Sequence, residues 1–436
     1  MVNNHNFKVY TFPNGFRLAW QQTHSNNVFG NLKINHGALH EVKGQEGIAH
    51  FLEHMLIEGG TSKHAPEEQA RIRGKFGYTN AMTSRTRTMI PWGMVSSDLE
   101  TYLDMASQMA FFPCLDGKVL RQQKNVVLSE ISMVKGSPDF DDIWRFFIPV
   151  MARDRDHTYF ILGDENVIRN ITEAQLRDFH AAGYSPNNMI LMLAGKLPLN
   201  LVEMVGNYFG SVVQGPGKPI ELSRVNPLET KSIRYSLAPD LLNKDTPEES
   251  NSHLRLGVVV PDEFHKDSAA LTVVSEILGS SWTAGLKKRI RSEGGMSYNI
   301  SSFYNGSDNY GYLDVHGKVK ERKQEEAIKI IFEELDRLRT SKQNTDEVES
   351  AKRRVAYETA NLLGRGFNNM TGIDPANIAE IGRMDYFFDG RVPIKRKLRE
   401  IESVTPEDVQ RVSGLYLPSD RETGKYILLV RDPLKG

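Results

Sequence analysis

A repeated order of elements at the end of each half of the chain constrains the fold more than any other sequence feature. Each copy is predicted to be a helix, a turn that contains proline and an apolar strand, over Thr172 to Ala194 and over Thr405 to Val430. Both helices open with a threonine whose side chain can accept a hydrogen bond from a backbone N–H of the first turn, as in a capping box. The repeat predicts two copies of one α+β unit.

The beginnings of the two halves match more loosely. A strand over Asn31 to Asn35 precedes a helix over Ile48 to Ile57, and a strand over Leu254 to Val260 precedes a helix over Ala269 to Leu278. The second helix contains no histidine. We therefore predict an α+β fold of two homologous domains, each a mainly antiparallel sheet with packed helices, of which the second copy is degenerate.

The length of the chain supports this division. Its 436 residues exceed what one hydrophobic core usually holds, and two domains of about 200 residues are expected. The stretch Gln214-Gly-Pro-Gly-Lys-Pro219 has the composition of a linker. We predict domains over residues 1–213 and 230–436, joined by a linker over residues 214–229.

Charge and hydropathy exclude several classes of partner. Lys and Arg number 54 against 55 Asp and Glu, so the net charge of -1 offers no basic surface to nucleic acid or anionic lipid. No apolar run approaches the roughly 20 residues of a membrane span. The first residues lack the order of a secretory signal, and a cytoplasmic location is expected. Cys114 is the single cysteine, which excludes an internal disulfide and a zinc site made of thiolates.

The segment Gly47 to Ile57 is predicted to be a buried helix with one polar stripe. His50, Glu53 and His54 fall within an arc of about 100° on a helix, while nearly every other position is apolar. Two histidines four positions apart can point both imidazoles at one metal ion, and a glutamate beside them can take a proton from water. The order His-x-x-Glu-His is that of the zinc peptidases called inverzincins.

A third protein ligand is expected from elsewhere in the chain, because catalytic zinc usually has three. The helix predicted over Lys118 to Val134 has a broad apolar stripe, and Gln123 and Glu130 lie inside it. The apolar positions of that stripe are Val119, Leu120, Val126, Val127, Ile131, Met133 and Val134. A carboxylate in a buried stripe requires a cation, which on these grounds is either a metal ion or a buried arginine.

The metal helix and a series of shorter matches resemble the pitrilysin or insulinase superfamily of metallopeptidases, the M16 family. His50-Phe-Leu-Glu53-His54 followed by Glu130 carries most of the resemblance. The other matches, spread over nearly the whole chain, are Gly47-Ile-Ala-His50, Asn80-Ala81, Gly163-Asp-Glu, Ile171-Thr172, Tyr184-Ser-Pro-Asn-Asn188, and Arg291 with Tyr298 seven positions later. In length the chain is similar to a single half of the family's substrate-enclosing assembly, like the subunits of mitochondrial processing peptidase and their bacterial homologues.

The resemblance implies a zinc centre in the first domain. His50, His54 and Glu130 would bind one zinc ion per chain, and Glu53 would be the general base of peptide hydrolysis. This resolves the choice left open for Glu130 in favour of a metal ligand.

The resemblance also implies substrate-binding residues. Arg291 and Tyr298 of the second domain would hold the substrate and stabilise the oxyanion, for which a cation and a phenol are suitable donors. Asn80, Ala81 and Met82 would lie at an exposed edge strand that pairs with an extended peptide.

Two positions depart from the family pattern. The family often has a glutamate seven positions before the metal-binding glutamate, where this chain has Gln123. An amide can still orient a metal ligand but adds no charge. In addition, Pro91 follows the Asn-Ala pair, and because proline cannot donate to a ladder the edge strand is expected to end early.

These features predict a zinc-dependent endopeptidase that hydrolyses short or unfolded peptides through a metal-bound water with a glutamate general base. The alternative is a non-catalytic assembly or regulatory subunit of a larger peptidase-like complex. Because the chain supplies one two-domain half, a partner subunit is expected: a homodimer first, and a heterodimer with a related chain second. Neither nucleic acid nor a membrane is an expected partner.

Overall fold

The structure is a computed structural model that describes residues 7–136, 140, 142, 160–213, 231–236, 251–281, 284–306, 311–365, 373–388 and 394–432. The strands within these residues are β1 (Lys8–Thr11), β2 (Arg17–Gln22), β3 (Asn27–Ile34), β4 (Tyr78–Thr79), β5 (Met82–Thr83), β6 (Thr88–Val95), β7 (Met189–Gly195), β8 (Lys231–Ser236), β9 (Asn251–Val260), β10 (Ser297–Gly306), β11 (Gly311–Lys320) and β12 (Ile427–Asp432).

The α-helices of the same residues are α1 (Ile48–Glu58), α2 (Pro66–Arg73), α3 (Leu99–Phe111), α4 (Gly117–Lys135), α5 (Glu165–Asn170), α6 (Glu173–Gly183), α7 (Leu201–Val205), α8 (Ser268–Ser280), α9 (Gln324–Thr340), α10 (Thr345–Arg365), α11 (Pro375–Phe388), α12 (Ile394–Glu402) and α13 (Pro406–Tyr416). Short 3₁₀ turns occur at Ala38–His40, Ser96–Asp98 and Pro186–Asn188, and π-helical segments at Gly206–Gly210 and Lys287–Glu293.

The helix, turn and strand of the predicted repeat are present in both halves. Thr172 accepts a hydrogen bond from the backbone N–H of Gln175 at the start of α6, and Thr405 accepts one from Asp408 at the start of α13. The apolar strands β7 and β12 follow these helices. The capping boxes therefore mark the two helix starts correctly.

Two sheets of matching topology result from the repeat. The first has the strand order β1-β2-β7-β3-β6-β4, with β5 also paired to β6, and the second has the order β10-β11-β9-β12-β8. Among the described strands, β2 with β7 and β8 with β12 are the parallel pairs, while the others are antiparallel. The predicted fold class, two α+β domains with mainly antiparallel sheets, is confirmed.

The core of the first sheet lies against α1, α3, α4 and α6. Alternation along β3 directs Leu32 and Ile34 into this core, because successive side chains of a strand point to opposite faces. Phe29, which lies on the opposite face, packs with the buried side chains of α11. Both faces of the first sheet are therefore covered.

Contacts group the chain into two compact units that interleave along the sequence. The first comprises residues 1–132, 159–221 and 362–390, and the second comprises residues 133–158, 222–361 and 391–436. Helix α11, from the later half of the chain, therefore belongs with the first sheet and contacts β3 and β7. The division into residues 1–213 and 230–436 stays a prediction, and its linker at 214–229 lies outside the described residues.

Helix α4 differs from its predicted amphipathic pattern. Val127 and Ile131 are buried, but Val126 is 48% exposed and Met133 is 71% exposed. The apolar stripe is thus narrower than the sequence suggests, because the helix contacts the core along one side only. No helix among the described residues is both long and apolar enough to cross a membrane.

Candidate metal centre

The start of α1 is fixed by a close approach of two glycines. Gly47 caps the helix with a φ of 95°, which favours glycine. A Cβ at this position would lie 2.7 Å from the Cα of Gly163 and 2.7 Å from the carbonyl oxygen of Leu162. Any other residue would push α1 away from this segment, so Gly47 sets where the helix begins.

Three possible metal-binding side chains converge between α1 and α4. The Nε2 atom of His50 lies 3.6 Å from Oε2 of Glu130, and Nε2 of His54 lies 3.5 Å from the same oxygen. The metal-binding atoms of these three residues all lie within 4.8 Å of one another. A tetrahedral zinc ion with bonds of about 2.0–2.1 Å separates its ligand atoms by about 3.4 Å, so the group fits zinc.

Glu130 is more accessible than its place in the apolar stripe predicted. Its side chain is 34% exposed, while that of His50 is 8% exposed. The expectation of a deeply buried carboxylate was therefore wrong. Its partners across the site are nevertheless the two histidines, as a metal ligand requires.

The state of the histidines suits metal binding. Burial, with a smaller contribution from the neighbouring His54, lowers the pKa of His50 to about 3, so the imidazole is neutral and has a lone pair for a metal. Nδ1 of His54 lies 3.2 Å from Oε1 of Gln123. A proton on Nδ1 would donate to this oxygen and leave Nε2 free to face Glu130.

Glu53 lies on α1 one residue before His54 and is 9% exposed. Burial raises its pKa to about 7, and the charge of Glu130 adds to this rise, whereas Thr83 and His54 oppose it. The hydroxyl of Thr83 donates a 2.5 Å hydrogen bond to Oε2 of Glu53. Its environment is thus that of a carboxyl group able to exchange a proton near neutral pH.

A cleft of about 660 Å³ opens beside Glu53 and His54. Asn80 and Ala81 line it, between β4 and β5, while Met82 lies in β5. Its other lining residues are Ile57, Glu58, Ala70, Arg73, Gly74, Phe76, Gly77, Tyr78, Thr79 and Trp92. Asn80 and Ala81, two of the residues expected to pair with an extended peptide, thus line the same cleft as Glu53 and His54.

The edge of this sheet is interrupted opposite Pro91. The backbone N–H of Asn80 donates to the carbonyl of Pro91, but proline has no N–H to return the bond. Pairing with β6 resumes at Met82 and Thr83. The expectation that the edge strand ends early was therefore wrong: it breaks for two residues and continues.

Two family models match the chain. Residues 18–144 match the model described as Insulinase (Peptidase family M16), and residues 170–355 match the model described as Peptidase M16 inactive domain. The first of these ranges contains the histidines and Glu130. This chain belongs to peptidase family M16.

Relatives of this M16 chain include proteins named as zinc proteases. It is 26% identical over 349 residues to the uncharacterized zinc protease YmxG of Bacillus subtilis, covering 80% of this chain and 82% of that one. It is 23% identical over 426 residues to the mitochondrial-processing peptidase subunit beta of Dictyostelium discoideum, covering 94% and 86% of the two chains.

Solved structures share the fold. A protease from Helicobacter pylori matches with a TM-score of 0.80 and 19% identity, covering 98% of this chain and 99% of that one. The periplasmic protease PqqL from Escherichia coli matches with a TM-score of 0.79 and 16% identity, covering 99% of this chain but 48% of that one.

Arg291 and Tyr298 lie in the second compact unit of the M16 chain. Arg291 is half-buried in the π-helical segment Lys287–Glu293, and Tyr298 belongs to β10. Their part in substrate binding stays a prediction.

Sequence reasoning missed three residues that hold α1 or its side chains. Glu41 accepts hydrogen bonds from the backbone N–H groups of Gly47 and Ala49, and Gln69 donates to the carbonyls of Leu56 and Ile57 at the other end of the helix. Thr83 binds Glu53. An acidic residue shortly before a helix was a usable signal for Glu41, whereas nothing local distinguishes Gln69 or Thr83.

Proposed function

We propose that this chain is a zinc-dependent endopeptidase that hydrolyses short or unfolded peptides. The observation that carries the proposal is the convergence of His50, His54 and Glu130 within 4.8 Å, with the buried Glu53 beside them. Relatives named as zinc proteases support the same choice of metal.

The residues of the site would divide the work of peptide hydrolysis. A zinc ion held by the two histidines and Glu130 would supply Lewis acidity to a water molecule and to the scissile carbonyl. Glu53 would accept the proton of the attacking water and return it to the leaving amine. Gln123 would keep His54 in the tautomer that binds the metal.

The substrate would bind in an extended form. Backbone groups at Asn80, Ala81 and Met82 would pair with the peptide as an added strand, which selects for shape rather than for particular side chains. Arg291 and Tyr298 would donate to the substrate and to the developing oxyanion.

We further propose that two copies of the chain enclose the substrate, because each carries both the metal motif and the Arg/Tyr pair. A homodimer of this kind has two complete sites. A heterodimer with a related chain is the second choice, and a cytoplasmic location stays a prediction. Peptides without a stable fold are favoured because a folded protein would not enter an enclosed chamber.

Hydrolysis of a quenched peptide library by the wild type and by Glu53→Gln tests the proposal. We expect cleavage by the wild type, and a loss of at least about 100-fold in kcat for the variant, which lacks a base. Zinc content should be equal in the two proteins. A wild type that binds zinc but cleaves no peptide would instead favour the non-catalytic assembly subunit.

A further inference from the structure

We propose that Thr83 is a positioning residue for Glu53, a role that rests on the proposed peptidase function. Its hydroxyl donates to Oε2 of Glu53 at 2.5 Å. The carboxylate has two oxygens, so this bond occupies one and leaves Oε1 to exchange a proton. Thr83 thereby fixes which oxygen of the base acts and in which direction it points.

The need for such a partner follows from the flexibility of glutamate. Its side chain has three rotatable bonds, and a base must be held close to its productive geometry to be effective. A hydrogen bond to an ionised group is short and strong. Thr83 supplies the side-chain hydrogen bond to the Glu53 carboxyl group, and a hydrogen bond from the backbone of Thr83 also acts on this group and lowers its pKa.

The backbone around Thr83 is held firmly. Thr83 pairs with Thr88 in β6, and the following turn is closed by a 2.8 Å bond from the N–H of Ser84 to the carbonyl of Arg87. A residue on a paired strand next to a closed turn has little freedom to move. It can therefore impose its position on a side chain that binds it.

The same turn is bonded to the loop before α1. The N–H of Ala38 donates to the carbonyl of Ser84 at 3.1 Å, and the N–H of Leu39 donates to the carbonyl of Arg85 at 2.7 Å. This approach requires glycine at position 37, because a Cβ there would collide with the carbonyl oxygen of Ser84 and the nitrogen of Arg87.

The loop then reaches the helix that carries the base. Oε2 and Oε1 of Glu41 accept bonds of 3.0 and 3.1 Å from the N–H groups of Gly47 and Ala49. One continuous set of hydrogen bonds thus fixes both the start of α1 and the strand that holds Glu53. These hydrogen bonds determine the relative position of Thr83 and Glu53.

The simpler interpretation is that Thr83 only fills space between β5 and α1. Thr83→Val separates the two roles, since valine has nearly the same shape but no hydroxyl. Thr83→Ser is the matched variant that keeps the hydroxyl. If the role is positioning, serine retains function and valine does not.

The test compares peptide hydrolysis, zinc binding and crystal structures of the wild type and both variants. We expect kcat of Thr83→Val to fall about tenfold or more, with KM and zinc affinity within about twofold of the wild type, and Thr83→Ser to recover most of kcat. In the crystal structure of zinc-loaded Thr83→Val, we expect the Glu53 carboxylate to leave its position or occupy several.

Three results would overturn the inference: an unchanged kcat in Thr83→Val, a change confined to KM, or a Glu53 carboxylate that stays in place without the hydroxyl. If the wild type itself cleaves no peptide, the proposed function fails, and the position of Glu53 in the crystal structure of Thr83→Val alone decides whether Thr83 holds it.

Discussion

The effect of Gln123 on zinc affinity can be measured directly. Its carboxamide oxygen lies 3.2 Å from Nδ1 of His54. Gln123→Leu removes this acceptor, so the zinc affinity should fall by about 10- to 100-fold. Competition with a chromophoric chelator measures the change.

Gln123→Glu is the matched control for this substitution. It keeps an acceptor at the same place and adds a negative charge, so zinc should bind as tightly as in the wild type or more tightly. An equal loss of affinity in both variants would mean that the contact with His54 does not act on the metal.

The residues of the site differ in how far the sequence reveals them. His50, Glu53 and His54 lie on one helix, and their spacing alone predicts that they share a face. Glu130 is brought to them by packing of another helix, and only the resemblance to a family assigned it to the metal. Thr83 and Glu41 act through hydrogen bonds whose geometry depends on loop closure, which no local pattern records.

At the scale of elements, the N-terminus of α1 contains a buried acid. Burial raises the pKa of Glu41 to about 8 from its usual 4.5, the charge of Glu46 adds to the rise, and the bonds from Gly47 and Ala49 oppose it. The folded chain therefore binds this proton more tightly than the unfolded chain. The stabilisation that results is present below about pH 4.5 and is lost as the pH rises through 8.

Glu41→Gln removes this titration while keeping a carbonyl acceptor. The melting temperature of the wild type minus that of the variant should decrease as the pH rises from about 5 to about 8. Scanning calorimetry of the zinc-free proteins measures it without interference from metal binding. A difference that is constant or increases over this range would contradict the shifted pKa.

A buried ion pair attaches α11 to the first sheet. Nζ of Lys33, whose side chain is 2% exposed, lies 2.9 Å from Oδ1 of Asp385, and a nitrogen of Arg87 lies 3.8 Å from the same oxygen. Asp385→Ala should lower the free energy of unfolding by about 3–5 kcal/mol, because it removes a carboxylate that pairs with a buried lysine. Thermal unfolding provides the measurement.

The double variant Lys33→Met with Asp385→Leu is the control. It replaces both charges by apolar groups of similar size, which is often neutral for stability. If the single and double variants unfold alike, the loss belongs to packing of α11 and not to the ion pair.

The elements themselves were largely predictable, with the exception of the edge strand. Periodicity and capping boxes identify α1, α6 and α13, because these signals are local. The sequence predicted that the edge strand would end near Pro91, but pairing with β6 resumes after two residues. Whether it resumes depends on the neighbouring strand, which the local sequence does not show. The exposure of Val126 likewise depends on what packs against α4, which its own sequence does not state.

For the whole molecule, the repeat predicts two sheets but not how segments are shared between the compact units. Residues 362–390 lie between strands β11 and β12 of the second sheet in sequence, yet α11 packs on the first sheet. Phe29 and Lys33 lie on the face of β3 that points away from α1, and they are buried only if another element packs on that face. The sequence does not identify which helix does so. Packing between elements so far apart in the sequence cannot be predicted from local sequence patterns.

Zinc bound per chain after dialysis tests the metal centre most directly. The wild type should hold one zinc ion, as expected for a site formed by His50, His54 and Glu130. Glu130→Gln, which lacks the charged ligand, should lose most of it. Glu67→Gln, which changes an exposed carboxylate on α2, should retain it. A wild type without zinc, or a Glu130→Gln variant that keeps zinc as tightly as Glu67→Gln, would contradict the proposed site.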